Sequence, residues 1–133
     1  MADEEVVAIA SDADIVRVRE KGRLVAAQLG FSSTDLVLIA TAISELARNI
    51  ILYAHRGQIR LALLNDGIRQ GVEVVASDSG PGIPSIERAM QDGYSTSGSL
   101  GLGLPGVRRL MDEMEIESEK GKGTKVTARK WKR

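Results

Sequence analysis

The sequence has no cysteine, a single histidine and no net charge, with 18 lysines and arginines set against 18 aspartates and glutamates in 133 residues. The absence of cysteine excludes a disulfide scaffold and a thiolate metal site. One histidine, His55, cannot build a multi-histidine zinc centre from this chain alone. The balanced charge leaves no global field to draw the protein to nucleic acid or anionic lipid, so neither is an expected partner. The acidic start, Met1-Ala2-Asp3-Glu4-Glu5, does not suit a signal peptide. No apolar run is expected to reach membrane length, and the expected location is the cytoplasm. There is no G-x-x-x-x-G-K-[ST] loop and no V-A-I-K, H-R-D or D-F-G set, which disfavours a P-loop enzyme and a eukaryotic-type kinase. Internal repeats and linker-like composition are also missing. The basic end, Arg129-Lys130-Trp131-Lys132-Arg133, reads as a short solvated terminus.

What the chain does contain is enough length for one domain, 1–133, with a real core. Val6 to Ala10 reads as a strand, closed by Ser11-Asp12 at the cap of a helix with Ile15, Val18, Gly22, Val25, Ala26 and Leu29 inward and a stop at Gly30. Gly22 marks close packing or, alternatively, a phosphate contact. Ser32-Ser33-Thr34-Asp35 opens a central helix ending near His55, in which Leu36, Ile39, Ile43, Leu46, Ile50 and Ala54 recur at helical steps. Strands follow at Gln58–Leu64 and Val72–Asp78, joined by an Asn65-Asp66-Gly67 turn. A loop rich in Gly, Ser and Thr runs from Asp92 to Gly103. Beyond it lies a helix with Val107, Leu110, Met111 and Met114 inward, then strands at Glu115–Ser118 and Lys125–Arg129. This order predicts an α/β (α+β) two-layer sandwich, a mostly antiparallel mixed sheet with three helices on one face.

Four stretches carry chemistry-bearing residues. Glu45 and Asn49 lie off the apolar stripe of the central helix and project from successive turns among small and apolar neighbours, as in a cavity wall. A carboxylate beside an amide oxygen can activate a nucleophile and hold a hard cation; the plainer reading is a surface Glu and Asn on an exposed edge. In Asp78-Ser79-Gly80-Pro81-Gly82, strand parity aims Asp78 inward, where it needs a donor such as a purine amine, and the glycines leave room for a flat ring. Otherwise the stretch is a tight turn. Gly101-Leu102-Gly103-Leu104-Pro105-Gly106 fits G-x-G-x-x-G but follows a loop rather than a strand. It is therefore not a dinucleotide fingerprint but a turn into a helix whose N-terminus suits phosphate. Ser95 to Ser99 before it has the composition of a lid or of a disordered surface loop. Gly123-Thr124 is a hairpin turn or places the Thr124 hydroxyl near Asp78. Arg48, next to Asn49, is read as a surface or interface charge, the alternative being a phosphate contact.

In this order Glu45-x-x-x-Asn49, Asp78-x-Gly80-x-Gly82, Gly101-x-Gly103 and Gly123-Thr124 resemble the N, G1, G2 and G3 boxes of the GHKL (Bergerat-fold) ATPases. The resemblance implies ATP and Mg²⁺ as cofactors, held between the helices and the lid. Asn49 would hold Mg²⁺ and Asp78 the adenine amine, with Gly80, Gly82 and Thr124 at the base end. Ser97, Gly98, Gly101, Leu102, Gly103 and Leu104 would surround the phosphates. Further domains and a dimerising helix pair, carried by gyrase-like and histidine-kinase members, are not expected in these 133 residues. Histidine kinases usually place Asn where this chain has Glu45, because imidazole is already nucleophilic near neutral pH; a hydroxyl gains about 10² to 10⁴ in rate from a general base. Glu45 is thus the implied catalytic residue.

Further stretches, Ser44 to Asn49, Asp92 to Gly98, Gly103 to Val107, Arg109 to Glu113 and Lys130 to Arg133, resemble the small serine kinases of the anti-sigma-factor branch, and among them the switch kinases of the stressosome. That implies phosphorylation of Ser or Thr on STAS-domain proteins, then activation of a PP2C-type phosphatase. The alternatives are an anti-sigma kinase that sequesters a sigma factor and a nucleotide-gated binding module without catalysis.

Overall fold

The computed structural model describes residues 4–83, 90 and 103–133. Strands β1 (Glu4–Ile9), β2 (Gly57–Asn65), β3 (Gln70–Asp78), β4 (Glu113–Glu119) and β5 (Gly123–Trp131) form one sheet in the order β1-β2-β3-β5-β4. Helices α1 (Asp12–Gln28), α2 (Ser33–Ala54) and α3 (Gly103–Leu110) form the second layer. The two-layer α/β architecture expected from the sequence is present, with one correction. Among the described residues every strand pairing is antiparallel, so the sheet is not mixed. The reason lies in the crossover: β3 and β4 run in the same direction, but β5 turns back from β4 and inserts between them.

Local chemistry sets the helix ends. At the start of α1, Asp14 Oδ2 accepts the backbone N–H groups of Ala10 and Ser11 at 2.9 and 3.1 Å. At α2, Ser32 Oγ accepts the Asp35 N–H at 3.1 Å, satisfying one of the orphan donors of the first turn. α2 ends at His55, whose φ of 69° breaks the helical run. Ile39, Ile43, Leu46 and Ile50 are buried against Ile59, Leu61, Val72 and Val74 of the sheet layer. Each such side chain contributes about 1.5–3 kcal/mol relative to exposure. Gly22 lets α1 close on α2: a Cβ there would overlap Cδ1 of Ile43, which is the packing alternative for this residue.

Contrary to the sequence expectation, α2 is long and apolar enough to cross a membrane by length and composition. Half of that window is buried inside the protein, where α2 packs against α1, α3 and the sheet. The helix expected to carry Met114 inward also ends earlier, at Leu110. The Asp112 N–H donates to the Arg129 carbonyl at 2.9 Å and Asp112 Oδ2 accepts the Trp131 N–H at 2.7 Å. These bonds to β5 pull the chain out of the helix, and Met114 packs on the core from β4 instead.

The same bonds overturn the reading of the basic tail as a solvated terminus. Lys130 is buried, and its ammonium donates to the Leu110 carbonyl at 2.9 Å, a cation on the negative end of α3. Arg69 stacks on the Trp131 ring at 3.9 Å. On the open face of the sheet, charges alternate from strand to strand. Arg60 bonds Glu4 and Glu73, and Arg129 bonds Glu73, Glu113 and Glu115.

The Trp131 indole donates to Glu113 at 2.7 Å, and this bond, with Arg129 beside it, holds the Glu113 carboxyl below its ordinary range. A carboxylate depressed in the folded state adds stability that is present above its unfolded value, about 4.3, and is lost as pH falls through the lower folded value. Trp131→Phe keeps the ring under Arg69 but removes the donor. Its deficit in urea unfolding, less than about 1 kcal/mol at this exposed site, is expected at pH 7 and should shrink below pH 4. A deficit that does not change with pH would show that the indole–carboxylate bond is not its source.

Candidate functional site

The candidate site is built on α2 and on the ends of β3 and β5. Along α2 the residues from Ala42 to Ala47 are all buried, Glu45 among them at 5 % exposure. A carboxylate so enclosed needs a partner. Arg48 supplies it, its Nη1 standing 2.6 Å from Glu45 Oε1 one turn along the helix. Asn49 is half-buried on the following turn. Ser44 turns its hydroxyl inward onto the Ala40 carbonyl at 3.0 Å.

The last turn of α2 leads to the second part of the site. Gly80 lies against Ala54: a Cβ on Gly80 would come within 2.6 Å of Ala54 Cβ and 3.2 Å of Asp78 Oδ1. From Glu45 to Ala54 is nine residues, about 13 Å along the axis, a distance on the scale of a nucleoside triphosphate. Asp78 itself closes β3, half-buried, with Oδ1 accepting the Gly80 N–H at 2.9 Å. That bond satisfies one oxygen and folds the turn.

The glycines of this turn also serve protein contacts that the sequence did not reveal. Gly82 has φ 82° and approaches the Glu119 carbonyl so closely that a Cβ would come within 2.6 Å of its oxygen. Thr124 is the register partner of Asp78 across β3 and β5. Its hydroxyl lies 3.1 Å from Ser118 Oγ, which accepts the Ile83 N–H at 2.7 Å. A depression of about 330 Å³ lined by Asp78, Ser118, Thr124 and Lys122 among others opens at this end.

The structure thus brings Asp78, Gly80, Gly82 and Thr124 together, and aligns Glu45 and Asn49 on the helix that reaches them. Gly103 is the first residue of α3 and Leu104 is buried beneath it, against the layer that contains α2. Ser97, Gly98, Gly101 and Leu102, with the rest of the expected lid, lie outside the described residues. Ser118 was missed by the sequence reading, although β4 parity places it on the inner side with Met114 and Ile116. The i, i+3 spacing of Arg48 from Glu45 permits such a pair, and the structure forms it where the sequence alone points to a surface or interface charge. Among the described residues no three carboxylates or histidines gather into a ready metal cage.

Residues 34–133 match the family of histidine kinase-, DNA gyrase B- and HSP90-like ATPases, and the chain belongs to it. It is 53 % identical over 133 residues, all of both chains, to the serine/threonine-protein kinase RsbT of Bacillus subtilis (strain 168). It is 34 % identical over 110 residues to an anti-sigma F factor of Caldanaerobacter subterraneus subsp. tengcongensis, covering 80 % of this chain and 77 % of that one. Among solved structures, the RsbU and RsbW domains of Rv1364c from Mycobacterium tuberculosis share the fold. The TM-score is 0.69 at 22 % identity, over 98 % of this chain and 33 % of that one. These relatives place the chain in the anti-sigma-factor branch of the family, with the small serine/threonine kinases.

Proposed function

We propose that this serine/threonine-protein kinase transfers the γ-phosphoryl group of ATP to a Ser or Thr hydroxyl of a STAS-domain stressosome protein, and then binds and activates a PP2C-type phosphatase. The observation that carries the chemistry is Glu45: a buried carboxylate on the helix that runs to the Asp78 turn. Glu45 takes the acceptor proton as the hydroxyl oxygen bonds to the γ-phosphorus and the bond to the β-phosphate oxygen breaks, leaving ADP. Asp78 Oδ2, not used in the turn, receives the adenine amine, and Thr124 supports that end. The N-terminus of α3 at Gly103 and Leu104, with Ser97, Gly98, Gly101 and Leu102, surrounds the phosphates. Asn49 offers one oxygen, which fits Mg²⁺ arriving with the triphosphate, since that ion keeps several waters and few protein ligands. Bound there, Mg²⁺ would neutralise phosphate charge.

Incubation of the chain with labelled ATP and a STAS-domain scaffold protein tests the transfer, and a phosphatase assay with the product mixture tests the switch. Label on a STAS serine or threonine followed by phosphatase activation is expected; an unlabelled STAS protein sinks the reading. Similarity to anti-sigma F factors supports a second reading, in which the kinase sequesters a sigma factor and phosphorylates an anti-anti-sigma factor. A pull-down retaining sigma rather than STAS and phosphatase proteins would select it.

Asp78→Asn tests the base end separately. Asparagine preserves the Oδ1 acceptor for Gly80 but replaces Oδ2 by a donor facing the adenine amine. A hydrogen bond to a charged group contributes about 1.5–3 kcal/mol, so ATP and ADP affinity by calorimetry should fall roughly 10- to 100-fold. Unchanged affinity would remove Asp78 from the site.

A further inference from the structure

We propose that Arg48 is a positioning residue for the general base, a role that rests on the assignment of Glu45 above. The geometry gives the reason. The Glu45 side chain is only 6 % exposed, whereas that of Arg48 is 37 % exposed, and Nη1 meets Oε1 at 2.6 Å. Among the described residues Arg48 is the hydrogen-bond partner of this carboxylate, and its bond to Oε1 fixes the rotation of the carboxyl group about its last torsion.

That torsion is broad and roughly two-fold for glutamate, and general-base catalysis depends on hydrogen-bond reach to the proton. Holding Oε1 on the guanidinium leaves Oε2 as the oxygen that receives the acceptor proton. The pair also keeps a charge inside the helix layer that would otherwise be buried without compensation. When the proton arrives, Glu45 becomes neutral and the attraction to Arg48 weakens. Arg48, with more than a third of its side chain in solvent, can rehydrate at that moment. It touches neither substrate nor phosphate in this account and acts only through Glu45.

A double-mutant cycle separates this role from general support of the fold. Arg48→Met, Arg48→Lys, Glu45→Gln and the Arg48→Met/Glu45→Gln pair are assayed for transfer from ATP to the STAS-domain protein, with ADP affinity and thermal unfolding measured on each. Arg48→Met should lower kcat about 30-fold or more with KM for ATP and ADP affinity unchanged. Arg48→Lys, which still offers an N–H to Oε1, should recover most of the loss. In the Glu45→Gln background, removing Arg48 should have no further effect on kcat.

Parental kcat in Arg48→Met, or an equal loss in both backgrounds, would overturn the positioning role while leaving the base assignment standing. Parental kcat in Glu45→Gln would instead overturn the base assignment and this inference with it. Should Arg48→Met prove unstable, the Lys variant decides: a stable Arg48→Lys without recovered kcat counts against the role.

Discussion

Exchanging Glu45 for alanine is expected to lower phosphoryl transfer about 10²- to 10⁴-fold, the range that a positioned general base supplies to a hydroxyl nucleophile. Nucleotide binding should stay within about threefold of the parent, because the turn at Asp78, proposed to hold the base, meets α2 at Ala54, about 13 Å beyond Glu45, and is held by its own bonds to Gly80 and to the β5 register. The helix tolerates the change, since alanine has the highest intrinsic helix propensity, and the freed Arg48 has solvent to turn to. A lost fold is therefore not the expected explanation of a lost rate. Rapid-quench transfer measurements and calorimetry with ADP on the same preparation separate the two. Transfer at the parental rate would mean that the hydroxyl is activated by some other group, and the buried carboxylate would have to be explained as structure alone.

Much of this architecture was legible because the apolar spacing is strong where it matters. Of the positions that recur through α2 at three- and four-residue steps, Ile39, Ile43, Leu46 and Ile50 are buried and Leu36 and Ala54 half-buried, and the polar cap at Ser32 sits where the sequence places it. The inward parity of Asp78 along β3 also followed from the alternation of Val72, Val74 and Ala76. What escaped was set by contacts distant in sequence. The end of α3 depends on Asp112 meeting Arg129 and Trp131, some twenty residues away, so helical periodicity alone extended the helix to Met114. The burial of Lys130 depends on the carbonyl of Leu110, and composition alone made the tail look solvated. In the candidate site the sequence picked out Glu45, Asn49, Asp78 and Thr124 by type and spacing. It could not show that Arg48 closes on Glu45 or that Ser118 completes the Thr124 corner, because both are matters of side-chain direction.

Alanine at Gly123 should destabilise the protein far more than alanine at Gly22, although both glycines are buried and both would place a Cβ on a neighbouring atom. The difference lies in what each Cβ meets. At Gly22 it meets Cδ1 of Ile43, the tip of a flexible side chain, with the next atoms at 3.5 and 3.7 Å. A rotamer adjustment costs about 0.5–1.5 kcal/mol, offset by about 1 kcal/mol of helix propensity gained over glycine, so the net change should be within about 1 kcal/mol. At Gly123 the Cβ falls on the backbone carbonyl oxygen of Asp78, with Asp78 C and Ser79 Cα both at 2.9 Å, and φ is 116°. That conformation costs a non-glycine residue about 1–3 kcal/mol, and moving β5 off β3 adds an overpacking cost of similar size. Together about 3 kcal/mol or more is expected, a fall of roughly 10 °C in melting temperature for a domain of this length. The strand displaced is the one that carries Thr124 beside Asp78, so ADP affinity should drop in Gly123→Ala even at temperatures where it remains folded, and hold in Gly22→Ala. Equal melting temperatures for the two variants, or an undiminished affinity in Gly123→Ala, would show that the approach of β5 to the Asp78 carbonyl is not what shapes the base end of the site.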